Sequence, residues 1–365
     1  MGTDSAGRLG RLCEGLRAAG VDFCFVGPSS DLLYLTGLDL HPSERMSLLV
    51  AHRDGGFNLV VPSFEAAGLA GLPQGVGVVP WSENEDPAGR VAAIVSPAPL
   101  SISVSDRLWS VFLLRLQAAL PSARFTPAEG VLAPLRIVKD EDEIAALAEA
   151  GSRADDAFGE IRGLRFAGQT ERQVAAAIAD LLRARGLANE GGPIVGSGPN
   201  GASPHHTAGD RVIQAGDFVV LDYGGRLNGY QADMTRTVAV GQAPIGEMRA
   251  VYDHVLAAQE AGVQAAQPGM TGEALDAVVR NHLNASGYGQ FFTHRLGHGI
   301  GLDGHEPPFL VQGGQTMLAP GMAFSIEPGL YLPGRFGVRI EDIVVLTETG
   351  ARRLNNATRE LVVVE

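Results

Sequence analysis

Apolar and polar positions alternate in two distinct regimes along this chain. Residues 8–20 (RLGRLCEGLRAAG) carry apolar side chains at helical spacing and end at Gly20, after which VDFCFVG reads as a buried strand. SLLVAHRDGGFNLVVP predicts two strands joined by a turn at Asp54-Gly55, and a helix–strand pattern continues to about residue 128. The rhythm changes at VLAPLRIVKDEDEIAALAEAG, where Pro134 interrupts the chain and good helix formers begin near Asp140, so a domain boundary is expected at about 132–138.

The second half is predicted to open with helices over 140–162 and 170–185, the latter capped by Thr170. Glycine-rich strands and loops take over from 191, two further helices are expected near 246–267 and 271–286, and the remainder reads as strands and turns. In DFVVLDYGGRLNGYQADMTRTVAV two apolar runs flank Asn228-Gly229, a strong hairpin signal that places Asp222 and Asp233 roughly opposite each other. AFSIEPGLYLPGRFGVRIEDIVVL repeats the arrangement, with Pro333-Gly334 at the turn and Glu327 and Glu341 on either side.

Composition narrows the classes of function. The chain has 365 residues, 45% hydrophobic and 19% charged, which is globular and long enough for about two domains. A formal charge of −13 argues against nucleic acid and against anionic membranes as partners. Two cysteines, Cys13 and Cys24, are too few to staple a chain of this size, and the start MGTDSAGRLG has no basic or apolar leader pattern, so a cytoplasmic protein is expected.

Each of the four acids sits in strand sequence (VVLD, SIE, VRIED), where an unpaired charge is expensive to bury. Two divalent cations would neutralise all four, and a histidine would complete a mostly oxygen ligand set that favours Mn²⁺, with Co²⁺, Zn²⁺ and Fe²⁺ also admissible. Ions ~3.5–4 Å apart suit hydrolysis of an amide. HRLGHGIGLDGHEPP supplies three histidines, His294, His298 and His305, but Pro307-Pro308 exclude the zinc-helix pattern that begins His-Glu. The same prolines deny Gly299-x-Gly301-x-x-Gly304 the helix that a dinucleotide fingerprint requires, so these glycines are read as letting the backbone pass close to a crowded site.

LDYGGRLNGYQADMTRT, HRLGHGIGLDGHEPP, SIEPGLY and VRIEDIVVL, in that order, resemble the motifs of the pita-bread metallopeptidases, and within them the proline-specific group of Xaa-Pro dipeptidase (prolidase) and aminopeptidase P. A leading segment with SSDLLYLTG is similar to the N-terminal domain that creatinase and the prolidases share, although Asp31 stands where the family often has Asn. The resemblance implies an α+β fold: a creatinase-like N-terminal α/β domain at 1–132 and a pita-bread catalytic domain at 133–365.

By position, the resemblance implies that Asp222 binds one metal, that Asp233 and Glu341 bridge two, and that His298 and Glu327 bind the other. It makes His294 and His305 substrate-side histidines, Glu327 the general base, and Tyr331 and Arg339 groups that orient the ligands. GSGPNGASPHHTAGDR offers a further histidine near the scissile carbonyl, His205, with His206 as the alternative. No chemical role follows for Thr235, Arg236 and Thr237 beyond strand pairing. The expected activity is hydrolysis of the Xaa-Pro bond in dipeptides or short peptides. A dipeptidase is preferred because the catalytic half carries no large insertion, and aminopeptidase P is the alternative. An inactive binding protein or a non-peptide amidinohydrolase is remoter, because all five ligand positions are filled. The resemblance also implies a homodimer in which one subunit's N-terminal domain approaches the other's active site.

Overall fold

The computed structural model describes residues 5–95, 100–189 and 191–365; the first four residues, part of the segment read for a leader, lie outside them. The chain divides into two compact units, Met1–Arg136 and Ile137–Glu365.

The first unit is built on a six-stranded mixed sheet in the order Val76–Trp81, Phe57–Pro62, Leu48–His52, Phe23–Val26, Ser101–Val104, Arg124–Pro127. Its central strands read as continuous apolar runs because both faces are covered. Phe25, Leu48, Val50, Val60, Val91, Ile102 and Leu116 form the core. Asp31 lies in the first turn of the helix Ser30–Thr36 and accepts a hydrogen bond from Arg136 Nη1 at 2.6 Å.

The second unit opens with helices Glu141–Ile161 and Glu171–Ala184, each started by a reciprocal capping box, Asp140 with Glu143 and Thr170 with Gln173. Both pack on a four-stranded sheet in the order Val362–Val364, Tyr230–Val240, Phe218–Leu227, Ile194–Ser197. Helices Glu247–Ala265 and Gly272–Ala285 cover a second core against a five-stranded sheet in the order Glu306–Leu310, Gly297–Gly299, Ala323–Ile326, Asp342–Thr347, Gly350–Arg353. Along the strands 218–227 and 230–240, Val219, Leu221, Tyr223, Met234 and Val238 face the first pair of helices. The intervening positions, Asp222, Asp233 and Thr235 among them, therefore share the opposite face.

The turn at Asn228-Gly229 has positive φ at both residues, 50° and 95°, the geometry that matches the twist of a two-residue hairpin. It pairs Leu227 with Tyr230 and so fixes the register, which sets Asp222 against Thr235 and Asp233 against Gly224. The two aspartates, expected from the sequence to lie roughly opposite each other, are thus diagonal neighbours offset by two positions. The second acidic ribbon also departs from a simple hairpin. Ile326 pairs with Asp342 in the five-stranded sheet, while Gly329–Leu332 and Phe336–Arg339 form a separate two-stranded ribbon. Glu327 and Glu341 sit opposite each other in the break between these ladders, where Pro328 has no N–H to continue the pairing. No helix among the described residues is long and apolar enough to cross a membrane.

Candidate metal centre

Three neighbouring backbone segments bring the acids together. Glu341 N–H donates to Thr235 C=O at 3.1 Å and Glu327 N–H to Leu296 C=O at 3.0 Å, which ties the acidic ribbon both to the hairpin carrying the aspartates and to the strand carrying His298. Close approach needs glycine on either side of that histidine: a Cβ on Gly297 would lie 2.0 Å from Ser325 O, and one on Gly299 2.2 Å from Pro307 O.

Ligand atoms of Asp222, Asp233 and Glu341 lie within 4.8 Å of one another, as do those of His298, Glu327 and Glu341. Glu341 belongs to both groups, and Asp233 also converges with His298 and His305. His298 Nδ1 donates to Gly299 C=O at 3.1 Å, and Nε2 faces Glu327 Oε1 at 3.3 Å and Asp233 Oδ2 at 3.9 Å, where it shares a proton with Glu327 that a bound cation would displace. Glu341 Oε2 accepts from Thr235 Oγ1 at 2.7 Å, while its Oε1 is buried with no partner. An orphaned, buried carboxylate oxygen between two groups of convergent donors fits a cation site.

The electrostatics point the same way. Four carboxylates share one guanidinium, that of Arg339, whose Nη2 donates to Asp222 Oδ2 at 2.6 Å. Burial and the charge of Asp222 push the Asp233 carboxyl up to about 8. Burial, followed by Asp233 and Glu327, holds Glu341 far above the carboxylate range, and burial raises Asp222 as well. Glu327 is the exception: burial would raise it, but the hydrogen bond and charge of His298 outweigh that and bring it down to about 2. Mutual repulsion of this kind is what a divalent ion relieves.

The surrounding groups are interlocked. Arg339 Nη1 donates to Tyr331 Oη at 2.9 Å, and Tyr331 donates onward to His294 Nε2 at 3.0 Å. His294 Nδ1 donates to Arg295 C=O at 2.6 Å, so both of its ring nitrogens are engaged and burial keeps it neutral. In this arrangement His294 presents its ring, not a free N–H. His305 lies with its ring centroid 3.8 Å from that of His298. Partial burial, then the fields of His298 and Arg295, push its pKa down to about 4; its outer side is open to solvent, and it stays a neutral imidazole at neutral pH.

Several contributors were not legible in the sequence. Thr235 Oγ1, besides bonding Glu341, accepts from Arg339 Nε at 3.0 Å. Arg236, almost fully buried, donates to Glu341 C=O at 2.6 Å and to Asp342 Oδ1 at 2.7 Å. Thr237 Oγ1 donates to Arg339 C=O and accepts from Arg339 N–H, each at 3.0 Å. The three consecutive residues therefore fasten the strand that bears Arg339 and Glu341. Lys139 Nζ, buried, pairs with Glu306 Oε1 at 2.6 Å beside His305. His206 Nε2 donates to the buried Glu171 at 2.7 Å, whereas His205 is exposed and has no hydrogen-bond partner among the described residues. His206 is thus committed to Glu171.

Residues 145–348 match the model of metallopeptidase family M24 and residues 8–138 that of the creatinase/prolidase N-terminal domain; the chain belongs to the M24 metallopeptidases. The α+β architecture expected from the resemblance, a creatinase-type domain followed by a pita-bread catalytic domain, is the one it has. Its relatives include a probable dipeptidase PepE of Mycobacterium tuberculosis, 42% identical over 98% of this chain and 96% of that one. The Xaa-Pro dipeptidase of Lactobacillus delbrueckii subsp. lactis is 35% identical over 97% and 98% of the two chains. Among solved structures, the prolidase from Thermococcus sibiricus superposes with a TM-score of 0.93 at 36% identity, covering both chains completely.

Proposed function

We propose that this metallopeptidase hydrolyses the bond between an N-terminal residue and proline, and that its preferred substrates are Xaa-Pro dipeptides. The observation that carries the metal site is the buried, unpartnered Glu341 Oε1 at the junction of the two donor groups. In this reading Asp222, Asp233 and Glu341 hold one ion, and His298, Glu327, Asp233 and Glu341 the second. The oxygen-rich set favours Mn²⁺. Two bound divalent ions would supply Lewis-acid polarisation of the scissile carbonyl and a water made acidic enough to attack at neutral pH.

The side chains perform the remaining steps. Glu327, an ionised carboxylate at neutral pH, takes the proton of the attacking water and passes it to the proline nitrogen as the C–N bond breaks. His205, exposed and unengaged, donates to the carbonyl oxygen as negative charge develops there. Arg339 and Tyr331 orient Asp222 and His294, and the rings of His294 and His305 bound the space for the proline.

Arg295 supports the dipeptide preference. Its guanidinium stands 4.5 Å over the Phe309 ring with Nη2 3.2 Å from His305 Nδ1, and it has no carboxylate partner among the described residues. A two-residue substrate brings a free carboxylate at its proline end; a longer peptide has an amide there. On the Mn²⁺-loaded protein, Arg295→Gln is expected to raise KM for an Xaa-Pro dipeptide about 10–100-fold, the worth of one charge-assisted hydrogen bond, and to leave an Xaa-Pro-Yaa tripeptide within about twofold. Wild-type preference for the tripeptide would make the enzyme an aminopeptidase P, and hydrolysis of neither peptide would remove the Xaa-Pro assignment.

Buried free thiols at Cys13 and Cys24 support a reducing, cytoplasmic setting. From the family resemblance we also propose a homodimer. Sedimentation velocity should give about twice the 38.2 kDa chain mass; a fully active monomer would refute it.

A further inference from the structure

Glu171 is a fully buried carboxylate outside the metal centre with no lysine or arginine paired to it among the described residues. It lies at the first position of the helix Glu171–Ala184, where the helix dipole favours a negative charge, but its bonds go well beyond a cap. Oε1 accepts from Ser197 N–H at 2.8 Å, Ser197 Oγ at 2.6 Å and Asn200 Nδ2 at 3.1 Å. Oε2 accepts from His206 Nε2 at 2.7 Å, Gly209 N–H at 3.2 Å and Asn200 Nδ2 at 3.2 Å. All of these donors come from the single segment 197–209, which begins at the last residue of the strand Ile194–Ser197.

That segment carries His205, and its second anchor is in the metal centre. Arg339 Nη1, which also holds Tyr331, donates to Pro204 C=O at 3.2 Å. Around the same segment, the backbones of Gly201 and Gly337 approach so closely that a Cβ on Gly337 would meet Gly201 O at 1.9 Å. His205 thus lies between two tied neighbours, Pro204 held by Arg339 and His206 by Glu171. Its own side chain makes no hydrogen bond among the described residues, so its position is inherited from those two ties.

We infer that Glu171 is a positioning residue for the reaction: through His206 and the segment 197–209 it sets the place from which His205 addresses the scissile carbonyl. This rests on the reading of His205 as the donor to that oxygen. A displacement of about 1 Å at such a donor costs up to about 100-fold in rate, so the tie has a kinetic consequence distinct from stability.

The test uses the full-length, Mn²⁺-loaded enzyme and an Xaa-Pro dipeptide, with kcat, KM, metal content and melting temperature read for His205→Ala, Glu171→Gln, His206→Ala and the two double variants containing His205→Ala. Expected are a kcat loss of about 100-fold for His205→Ala and about 10-fold or more for Glu171→Gln and His206→Ala, with metal content unchanged. Each double variant should be no slower than His205→Ala within about twofold, because the positioned group is already gone. Independent, multiplicative losses in the doubles would overturn the inference, as would wild-type kcat in both Glu171→Gln and His206→Ala while His205→Ala is impaired. Should Glu171→Gln fail to fold, His206→Ala decides, since it removes only one of the donors to Glu171, and that from a partly exposed side chain. Unimpaired His205→Ala would instead overturn the role of His205, and the positioning role with it.

Discussion

Glutamine in place of Glu341 is expected to reduce kcat on an Xaa-Pro dipeptide by about 10³-fold or more, equivalent to some 4 kcal/mol of transition-state stabilisation. The substitution keeps the volume of the side chain and an oxygen for Thr235 Oγ1, so the strand pairing around it survives. What it removes is the charge on a side chain that belongs to both donor groups. Metal content should fall below two ions per chain, and steady-state kinetics paired with metal analysis reads both quantities. More than about a tenth of wild-type kcat with two ions still bound would place Glu341 outside the centre.

The second large effect is on stability without metal. Asp233, raised to about 8, and Glu341 and Asp222, raised with it, hold protons in the folded state that the unfolded chain has released above about pH 4. A group with a raised folded pKa contributes stability below its unfolded value and loses it as pH rises through the folded one. Metal-free protein should therefore become less stable from pH 6.5 to 8, by about 1.4 kcal/mol per pH unit for each proton retained. His294 and His305, whose pKa values are depressed, act in the opposite sense, but mostly below about pH 6.5, where an unfolded imidazole charges. Saturating Mn²⁺ should reverse the slope, since ionised carboxylates bind the ion and protons compete with it. Melting curves at pH 6.5, 7.2 and 8 in chelator and in Mn²⁺ check the sign. A chelated protein that melts higher at pH 8 than at 6.5 would mean that the carboxylates are not held together as the fold places them.

Much of this architecture follows from local rules. Asp140 and Thr170 cap the helices that their neighbours predict, and Asn228-Gly229 makes its hairpin, because caps and two-residue turns depend on a few adjacent residues. Strand register was read less well. The turn pairs Asp222 with Thr235, a neighbour that explains why a threonine stands there: its hydroxyl links Glu341 and Arg339. The second acidic ribbon divides between two sheets at Pro328, which hydrophobic alternation does not reveal because the apolar pattern continues across the break.

The amino-acid sequence by itself determined the helices and hairpins, the acidic pairs flanking their turns, and the order of motifs that marks an M24 metallopeptidase. Those are properties of neighbouring residues and survive being read one segment at a time. Tertiary structure alone decided that His206 is spent on Glu171 while its neighbour stays free, and that both nitrogens of His294 are engaged. It also decided that one oxygen of Glu341 is left without a partner. These depend on where a donor or acceptor from a distant segment comes to rest, 35 residues away for Glu171 and His206, 37 for His294 Nε2 and Tyr331, and 106 for Thr235 and Glu341. A hydrogen bond forms or fails within a few tenths of an ångström, and only the packing of whole sheets and helices sets distances that finely.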